Sequence, residues 1–430
     1  MAHLGRGCWG DLFSHSSLTC ADVCGIAKLP LKSWREGGLM RYFFAIAFLL
    51  GTAISANAQT CGGDFGQFVQ GLRAEAIQRG HAQANIDVFF SHANYYQRAI
   101  DADRRQGIFA RPFTDFARQL ISQNRIDNGV RNAARQSAVF DAIQRRYGVS
   151  RGILLAFWAF ETDFGSFQGD YNTLDSLVTL AYDCRRPHIF RPQVFAALTL
   201  FESGNFDPAG TVGAWAGEIG MVQMLPADII AHGVDGDGDG RVSLRTSAPD
   251  ALMSGANLLS ALGWRANEPW VVEVTVPNTL DWFQTGIHTT RRVSAWEADG
   301  IRARSGGALS LRNAQASVIL PQGRNGPAFL AYPNFRVLFE WNQSFTYVLT
   351  AAYFATRLEG APIFDARRPD PGLSPDQMRD LQRRLQARGY NVGAIDGILG
   401  AGTRAAVRAE QRRLGLPADA WPTPALLSQL

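Results

Sequence analysis

This sequence of 430 residues carries little net charge: 42 Lys and Arg stand against 38 Asp and Glu, for a surplus of +4. So small a surplus gives no argument for nucleic acid as a partner and leaves room for an anionic polymer. Cysteine is scarce, with five in the chain, too few for a disulfide scaffold. The one terminal apolar run, after Met40, is too short for a transmembrane helix, so no membrane anchor is expected. With 46% hydrophobic and 19% charged residues, the composition is that of a folded globular protein of two or three domains.

The N-terminal apolar run reads as a leader. Met40-Arg41 starts it, Tyr42 to Gly51 is apolar, and Ala56-Asn57-Ala58 fits the small-x-small cleavage rule. Residues 40–58 are therefore expected to be a signal peptide cut after Ala58, sending the protein to the periplasm. Residues 1–39 show no pattern and are expected to be a mis-called upstream extension. Cys8, Cys20 and Cys24 fall inside it, so the mature chain keeps Cys61 and Cys184. In an oxidising compartment these two are expected to form one disulfide. Ala58-Gln59-Thr60 before Cys61 is a poor lipid-attachment site, and no lipoprotein is expected.

From residue 65 to 265 the apolar spacing is mostly helical. Helices are expected over 65–80, 83–100, 133–147, from Ser150 to Gly165, over 174–182 with Asn172 or Thr173 as cap, and over 187–203. After Trp264 the character changes. Val271 to Val276 and Ala308 to Leu320 are β-rich, so 266–330 is expected to be a small strand-containing insert. A helix returns over 343–358. Residues 361–372 are a Pro-rich linker, and 373–430 a separate small module whose first helix ends at Gly389 and whose second starts near Thr403.

One carboxyl group lacks charged neighbours. No Lys, Arg, Asp or Glu lies between Arg151 and Glu161, and Glu161 closes that apolar run. An apolar setting disfavours the charged form of a carboxyl group, the condition for a general acid at neutral pH. Taken alone, the stretch reads better as a core helix ending in an exposed glutamate, since most helix-end glutamates have no catalytic role. No convincing second carboxylate accompanies it. Asp163 is two positions on and points to another helix face; Glu218 sits in a Gly-rich loop.

Three blocks turn the balance: Glu161-Thr-Asp-Phe-Gly165 with Leu174 to Asp183 and Arg185-Arg186; Ala216-Gly-Glu218-Ile-Gly220-Met-Val-Gln223-Met-Leu-Pro226; and Tyr332-Pro-Asn-Phe335 leading to Trp341-Asn342 and Tyr347. In order and spacing they resemble the lytic murein transglycosylase B family over roughly 65–360. The resemblance implies a mainly α (α+β) protein: a catalytic domain over 59–360 whose lysozyme-like α domain carries the 266–330 insert. It implies cleavage of the bond between N-acetylmuramic acid and N-acetylglucosamine in peptidoglycan, with 1,6-anhydro ends and no required cofactor. Glu161 matches the family's single catalytic glutamate. Gln223, Asn342 and Tyr347 match residues expected near the sugar or the acid. Arg185 and Arg186 match a basic pair near substrate carboxylates, and Glu218 takes a supporting role. Trp341 departs from the tyrosine usual before Asn342, and Ala214 from the serine usual after Gly213. The same fold without the transglycosylase step would be a hydrolysing muramidase; without any catalysis it would be a peptidoglycan-binding scaffold.

Two further stretches carry signals. Asp235-Gly-Asp237-Gly-Asp239-Gly240 resembles the first half of an EF-hand loop, with oxygen ligands at positions one, three and five and Gly at six. Position twelve is Thr246, so the usual closing glutamate is missing; the resemblance to the transglycosylase family, some of whose members close a similar loop with a later aspartate, implies Asp250 in its place around a structural calcium ion. Residues 374–430 resemble the peptidoglycan-binding domain 1 family, a three-helix unit. Over 373–430 there are 8 Arg and 5 acidic residues, a surplus that suits an anionic wall polymer. Proteins of cell-wall synthesis or division are the candidate partners this resemblance implies.

Overall fold

The computed structural model describes residues 61–105 and 111–430. The leader over 40–58, the start at Met40, and Cys8, Cys20 and Cys24 lie outside the described residues. Among those described, the chain opens with α1 (Phe65–Gln78), α2 (Gln83–Ser91), α3 (Gln97–Arg104), α4 (Phe113–Leu120), α5 (Gln123–Arg135) and α6 (Ser137–Tyr147). Two expected helices are each divided. The segment 83–100 breaks between α2 and α3 because backbone N–H groups there find side-chain acceptors: Asn94 donates to Asp175 Oδ1 at 2.7 Å and Tyr96 to Thr179 Oγ1 at 2.9 Å. A backbone donor satisfied this way does not need a helical carbonyl. The segment 133–147 breaks at Gln136, where the chain turns from packing on α7 to packing on α11.

The core is organised on α7 (Arg151–Thr162). Ser150 caps it, its hydroxyl accepting from Gly152 N at 3.0 Å. Every residue from Gly152 to Thr162 is buried. A helix apolar on all sides must be enclosed, and each large side chain so buried contributes about 1.5–3 kcal/mol. The helix stops earlier than Gly165, since Asp163 and Phe164 already take left-handed backbone at φ 51° and 59°. There Phe164 N donates to Trp158 O at 3.1 Å, closing the turn.

The chain continues through β1 (Tyr171–Asn172), α8 (Thr173–Tyr182), α9 (Pro187–Glu202), β2 (Val212–Gly213), α10 (Pro226–His232) and α11 (Ala248–Ala261). Asn172 caps α8. The Cys61–Cys184 disulfide ties residue 61 beside the turn between α8 and α9.

The insert holds β3 (Val271–Thr275), β4 (Arg291–Arg292), α12 (Val293–Ala298), β5 (Arg302–Ala303), β6 (Gln315–Ile319) and β7 (Phe329–Ala331). The strands pair antiparallel in the order β4-β6-β7-β3-β5. Only 315–319 of the expected 308–320 stretch is strand. Side chains on β7 alternate: Phe329 and Ala331 enter the main core, while Leu330 enters a second core around Trp296. The sheet therefore seats the insert on the helical body. Then α13 (Pro333–Trp341) and α14 (Phe345–Leu358) return to it. The start of α14 at Phe345, two residues past the expected Gln343, follows from Ser344 as its cap. Rings of α7 and α14 stack, Phe160 on Phe354 at 5.1 Å.

The C-terminal module comprises α15 (Pro375–Ala387), α16 (Ala401–Arg413) and the single-turn α17 (Pro424–Leu427), around Leu381, Leu385 and Val407. Helix α16 starts two residues before Thr403, whose buried hydroxyl instead donates to Val392 O at 3.1 Å. The Pro-rich segment before the module is laid on the catalytic domain: Phe364 packs on Phe113 and on Tyr353. The module itself is docked. Arg404 donates to Pro321 O at 2.9 Å and lies over the Phe345 ring, Arg412 lies over Phe283, and Trp421 Nε1 reaches Asp370 O. Burial pushes the Arg404 guanidinium down to about 10. Part of the module's basic surplus is thus turned inward, away from any wall polymer.

Candidate active site

Glu161 is 4% exposed, which overturns its reading as an exposed helix end. It sits on the last turn of α7, and the end of α13 and start of α14 deliver two donors to one of its oxygens. Trp341 Nε1 donates to Glu161 Oε1 at 3.2 Å, and the Tyr347 hydroxyl donates to the same atom. Trp341 is held by stacking on Phe157, with centroids 4.4 Å apart. Burial, and then the Glu161 carboxyl beside it, push the Tyr347 hydroxyl well above its usual range, so it stays a donor at any working pH. A cleft of about 180 Å3 opens onto Glu161, lined also by Phe167, Gln168, Gly169, Asp170, Tyr171, Ala214, Trp215 and Gln223.

Replacing Tyr347 by phenylalanine removes a hydrogen bond to a carboxyl group, worth about 1.5–3 kcal/mol. We expect kcat to fall about 10- to 100-fold with little change in KM if Glu161 acts as a general acid. Steady-state kinetics would check this; an unchanged kcat would mean that the hydroxyl does not act on Glu161.

The opposite wall is the loop after β2. It comes so close that Gly213 has no room for a side chain: a Cβ there would stand 2.0 Å from Glu218 O. Gln223 takes left-handed backbone at φ 54°, and its amide donates to Gly220 O at 2.8 Å and Gln168 O at 3.2 Å. Glu218 is 3% exposed. Burial, reinforced by the nearby Glu161, pushes its carboxyl up to about 8 despite its own backbone N–H and Arg186.

The remaining expected residues lie elsewhere. Asp163 turns away from the cleft to Arg125, whose Nε donates to it at 3.1 Å. Arg185 and Arg186 both bond the buried Asp103 carboxylate, so both guanidiniums have an internal partner. Asn342 is buried and its side-chain oxygen accepts from Ser344 N at 2.8 Å, shaping the entry to α14. In the Asp-rich loop, Asp235, Asp237 and Asp250 bring carboxylate oxygens within 4.8 Å of one another. Asp239 is not in that group; its Oδ1 accepts from Arg241 N.

Sequence reasoning missed the rim. Phe167, 63% exposed, and Tyr171 and Trp215 form an aromatic border to the cleft, and Arg98 holds Asp170 there at 2.8 and 2.9 Å while covering the Tyr171 ring. Their signal was faint: single aromatics among loop glycines. Trp341 was singled out only as a departure from a family pattern, although its place beside Asn342 pointed to the acid.

A helical body with a cleft, one buried glutamate on a core helix and a Gly-rich loop opposite it define the lysozyme-like class of glycan-cleaving domains. Within that class, the chain belongs to the Transglycosylase SLT domain family, which matches residues 64–356. A peptidoglycan binding domain family matches 374–430. The chain is similar to SltB3 from Pseudomonas aeruginosa, with 36% identity and a TM-score of 0.79 over 86% of this chain and 99% of that one; SltB3 was solved in complex with NAG-anhNAM-pentapeptide. It is also similar to soluble lytic transglycosylase SltB1 from the same species, with 25% identity and a TM-score of 0.61 over 68% of this chain and 99% of that one. Membrane-bound lytic murein transglycosylase B of Escherichia coli (strain K12) is 27% identical over 237 residues, 54% of this chain; the match spans 64% of that relative's length. No helix among the described residues is long and apolar enough to cross a membrane.

Proposed function

We propose that the protein is a lytic transglycosylase of the periplasm that cleaves the β-1,4 bond between N-acetylmuramic acid and N-acetylglucosamine in peptidoglycan without consuming water. The observation that carries this is the single buried carboxyl group at the cleft, Glu161, steadied through one oxygen by Trp341 and Tyr347. Glu161 gives its proton to the glycosidic oxygen as the bond from that oxygen to C1 breaks. The carboxylate left behind takes the proton of the sugar's own C6 hydroxyl, whose oxygen bonds to C1. Glu161 ends protonated, as it began, and the product is a 1,6-anhydro sugar. The relative crystallised with NAG-anhNAM-pentapeptide, the same kind of end, supports this reading. So does the state of two further carboxyls: Asp163 faces Arg125, and burial holds Glu218 protonated to about pH 8, unsuited to activate water. Gln223 and the aromatic rim are assigned to the glycan. Asn342 supports the acid through Trp341 and α14, and Arg185 and Arg186 support the wall of the cleft.

Mass spectrometry of peptidoglycan digested by residues 59–430 tests the assignment. Products one water lighter than hydrolysis products are expected. Reducing-end muramic acid would overturn it and direct attention to Asp170 as the activating base. Binding without cleavage would favour a scaffold.

The Asp-rich loop is proposed to hold a structural calcium ion on Asp235, Asp237 and Asp250. The donor set is all oxygen, which suits a hard cation, and Asp250 supplies the closing carboxylate from the start of α11. Its part is to fasten the loop, with no role in the bond cleavage. Calcium at about 100 times its dissociation constant is expected to raise the melting midpoint by about 5 °C, and Asp237→Ala to remove the shift. No shift with calcium in scanning calorimetry would sink the assignment.

A further inference from the structure

Resting on the transglycosylase reading, we infer that Glu218 is a positioning residue: a neutral second carboxyl behind Glu161 that lets Glu161 shed its proton without a negative neighbour, and whose own ionisation ends the working range on the alkaline side.

The placement comes from the loop. Ala214, Trp215 and Gln223 line the cleft together with Glu161, and Glu218 lies between them in the chain but is buried, behind that wall. Its backbone has no freedom. Ala214 N donates to Glu218 O at 2.9 Å, and Ile219 and Met224 exchange hydrogen bonds at 2.8 and 3.0 Å just beyond it. The loop is tied to the acid's own helix, since the Thr162 hydroxyl, next to Glu161, donates to Met221 O at 2.7 Å. One carboxyl oxygen, Glu218 Oε2, is buried and has no hydrogen-bond partner. An ionised carboxylate is costly to leave in that condition, whereas a neutral acid is tolerated. The charged groups that bear on it are few. Glu161 on α7 opposes its ionisation, and Arg186 ahead of α9 favours it, but Arg186 is shared with Asp103.

The consequence follows from the reaction. When Glu161 donates its proton it becomes a carboxylate. A neutral Glu218 leaves that charge unopposed, while an ionised Glu218 would set a second negative charge against it in a site shielded from water. Glu218 keeps its proton throughout, and no net transfer passes through it. Burial holds that proton to about pH 8, so turnover is expected to fall above that pH.

The test is kcat/KM of the chain 59–430 between pH 5 and 10, for wild type and Glu218→Gln. Wild type is expected to lose about tenfold per pH unit beyond pH 8. Glu218→Gln, neutral at every pH, is expected to run no more than about tenfold slower at pH 6.5 and to lose that limb or shift it upward by more than one unit. A limb that stays near pH 8 in the variant overturns the proposal. So does a folded variant with no turnover at all, which would make Glu218 a proton carrier. A second measurement does not depend on that variant's folding. In Glu161→Gln, difference infrared spectra should contain a neutral-carboxyl band at pH 6.5 that disappears as the pH is raised; its absence at pH 6.5 overturns the proposal. If wild type makes no anhydro ends, the transglycosylase reading fails, and the infrared result still stands by itself.

Discussion

Glutamine in place of Glu161 is expected to lower kcat at least about 10³-fold and to remove 1,6-anhydro ends from the products. General acid–base catalysis contributes about 10²–10⁴-fold, and in the proposed reaction Glu161 acts in both halves, first as acid and then as base. The substitution is close to neutral for the fold. Glutamine has the shape of the protonated acid, and its amide oxygen still accepts from Trp341 Nε1 and the Tyr347 hydroxyl, which now meet at Glu161 Oε1. The C-terminal module is built around its own core, so sedimentation with insoluble peptidoglycan should be retained. Kinetics on purified peptidoglycan, with circular dichroism as the check on folding, decides the matter. Turnover within tenfold of wild type would remove Glu161 from the chemistry.

The second large effect concerns stability. Glu218 has an ordinary value of 4.5 in the unfolded chain and titrates at about 8 in the folded one. Between these values the unfolded chain has lost the proton and the folded chain still holds it. The stability that this proton confers is complete below pH 4.5 and is lost as pH rises to about 8, by roughly 5 kcal/mol in all. Glu218→Gln cannot ionise and lacks this dependence. Its melting midpoint is expected to gain on wild type progressively from pH 5 to pH 8.5, by several degrees at the upper end. Parallel curves for the two proteins would show that burial does not raise the Glu218 carboxyl. A protein that keeps such a residue beside its acid retains a stability cost at the site of chemistry, a common place for one.

Several features could be read directly from the chain because they depend on near neighbours. Ser150 ahead of an apolar run and Asn172 ahead of Leu174 announce helix starts by side-chain capping, and both cap their helices. Cys61 and Cys184 pair with one another. Asp250, which the family resemblance offered for the Asp-rich loop, lies within 4.8 Å of Asp235 and Asp237 through its carboxylate oxygens. Where the reading slipped, a distant partner intervened. The 83–100 helix was interrupted by acceptors on α8, and Thr403 was claimed by the Val392 carbonyl before it could cap a helix.

The chain by itself determined the family and the α7 helix and singled out Glu161 as the candidate acid, because an apolar run ending in one glutamate, followed by the Gly-rich and Trp341-to-Tyr347 blocks, is a pattern along the backbone. Only the tertiary structure decided what each polar group faces. It took Arg185 and Arg186 to Asp103, turned Asp163 to Arg125, and placed Trp341 and Tyr347 on one oxygen of Glu161. It also turned Arg404 and Arg412 of α16 onto the catalytic domain. Burial and charge pairing are set by contacts across 38 to 186 residues of chain, and no local pattern of residue types encodes a partner that far away.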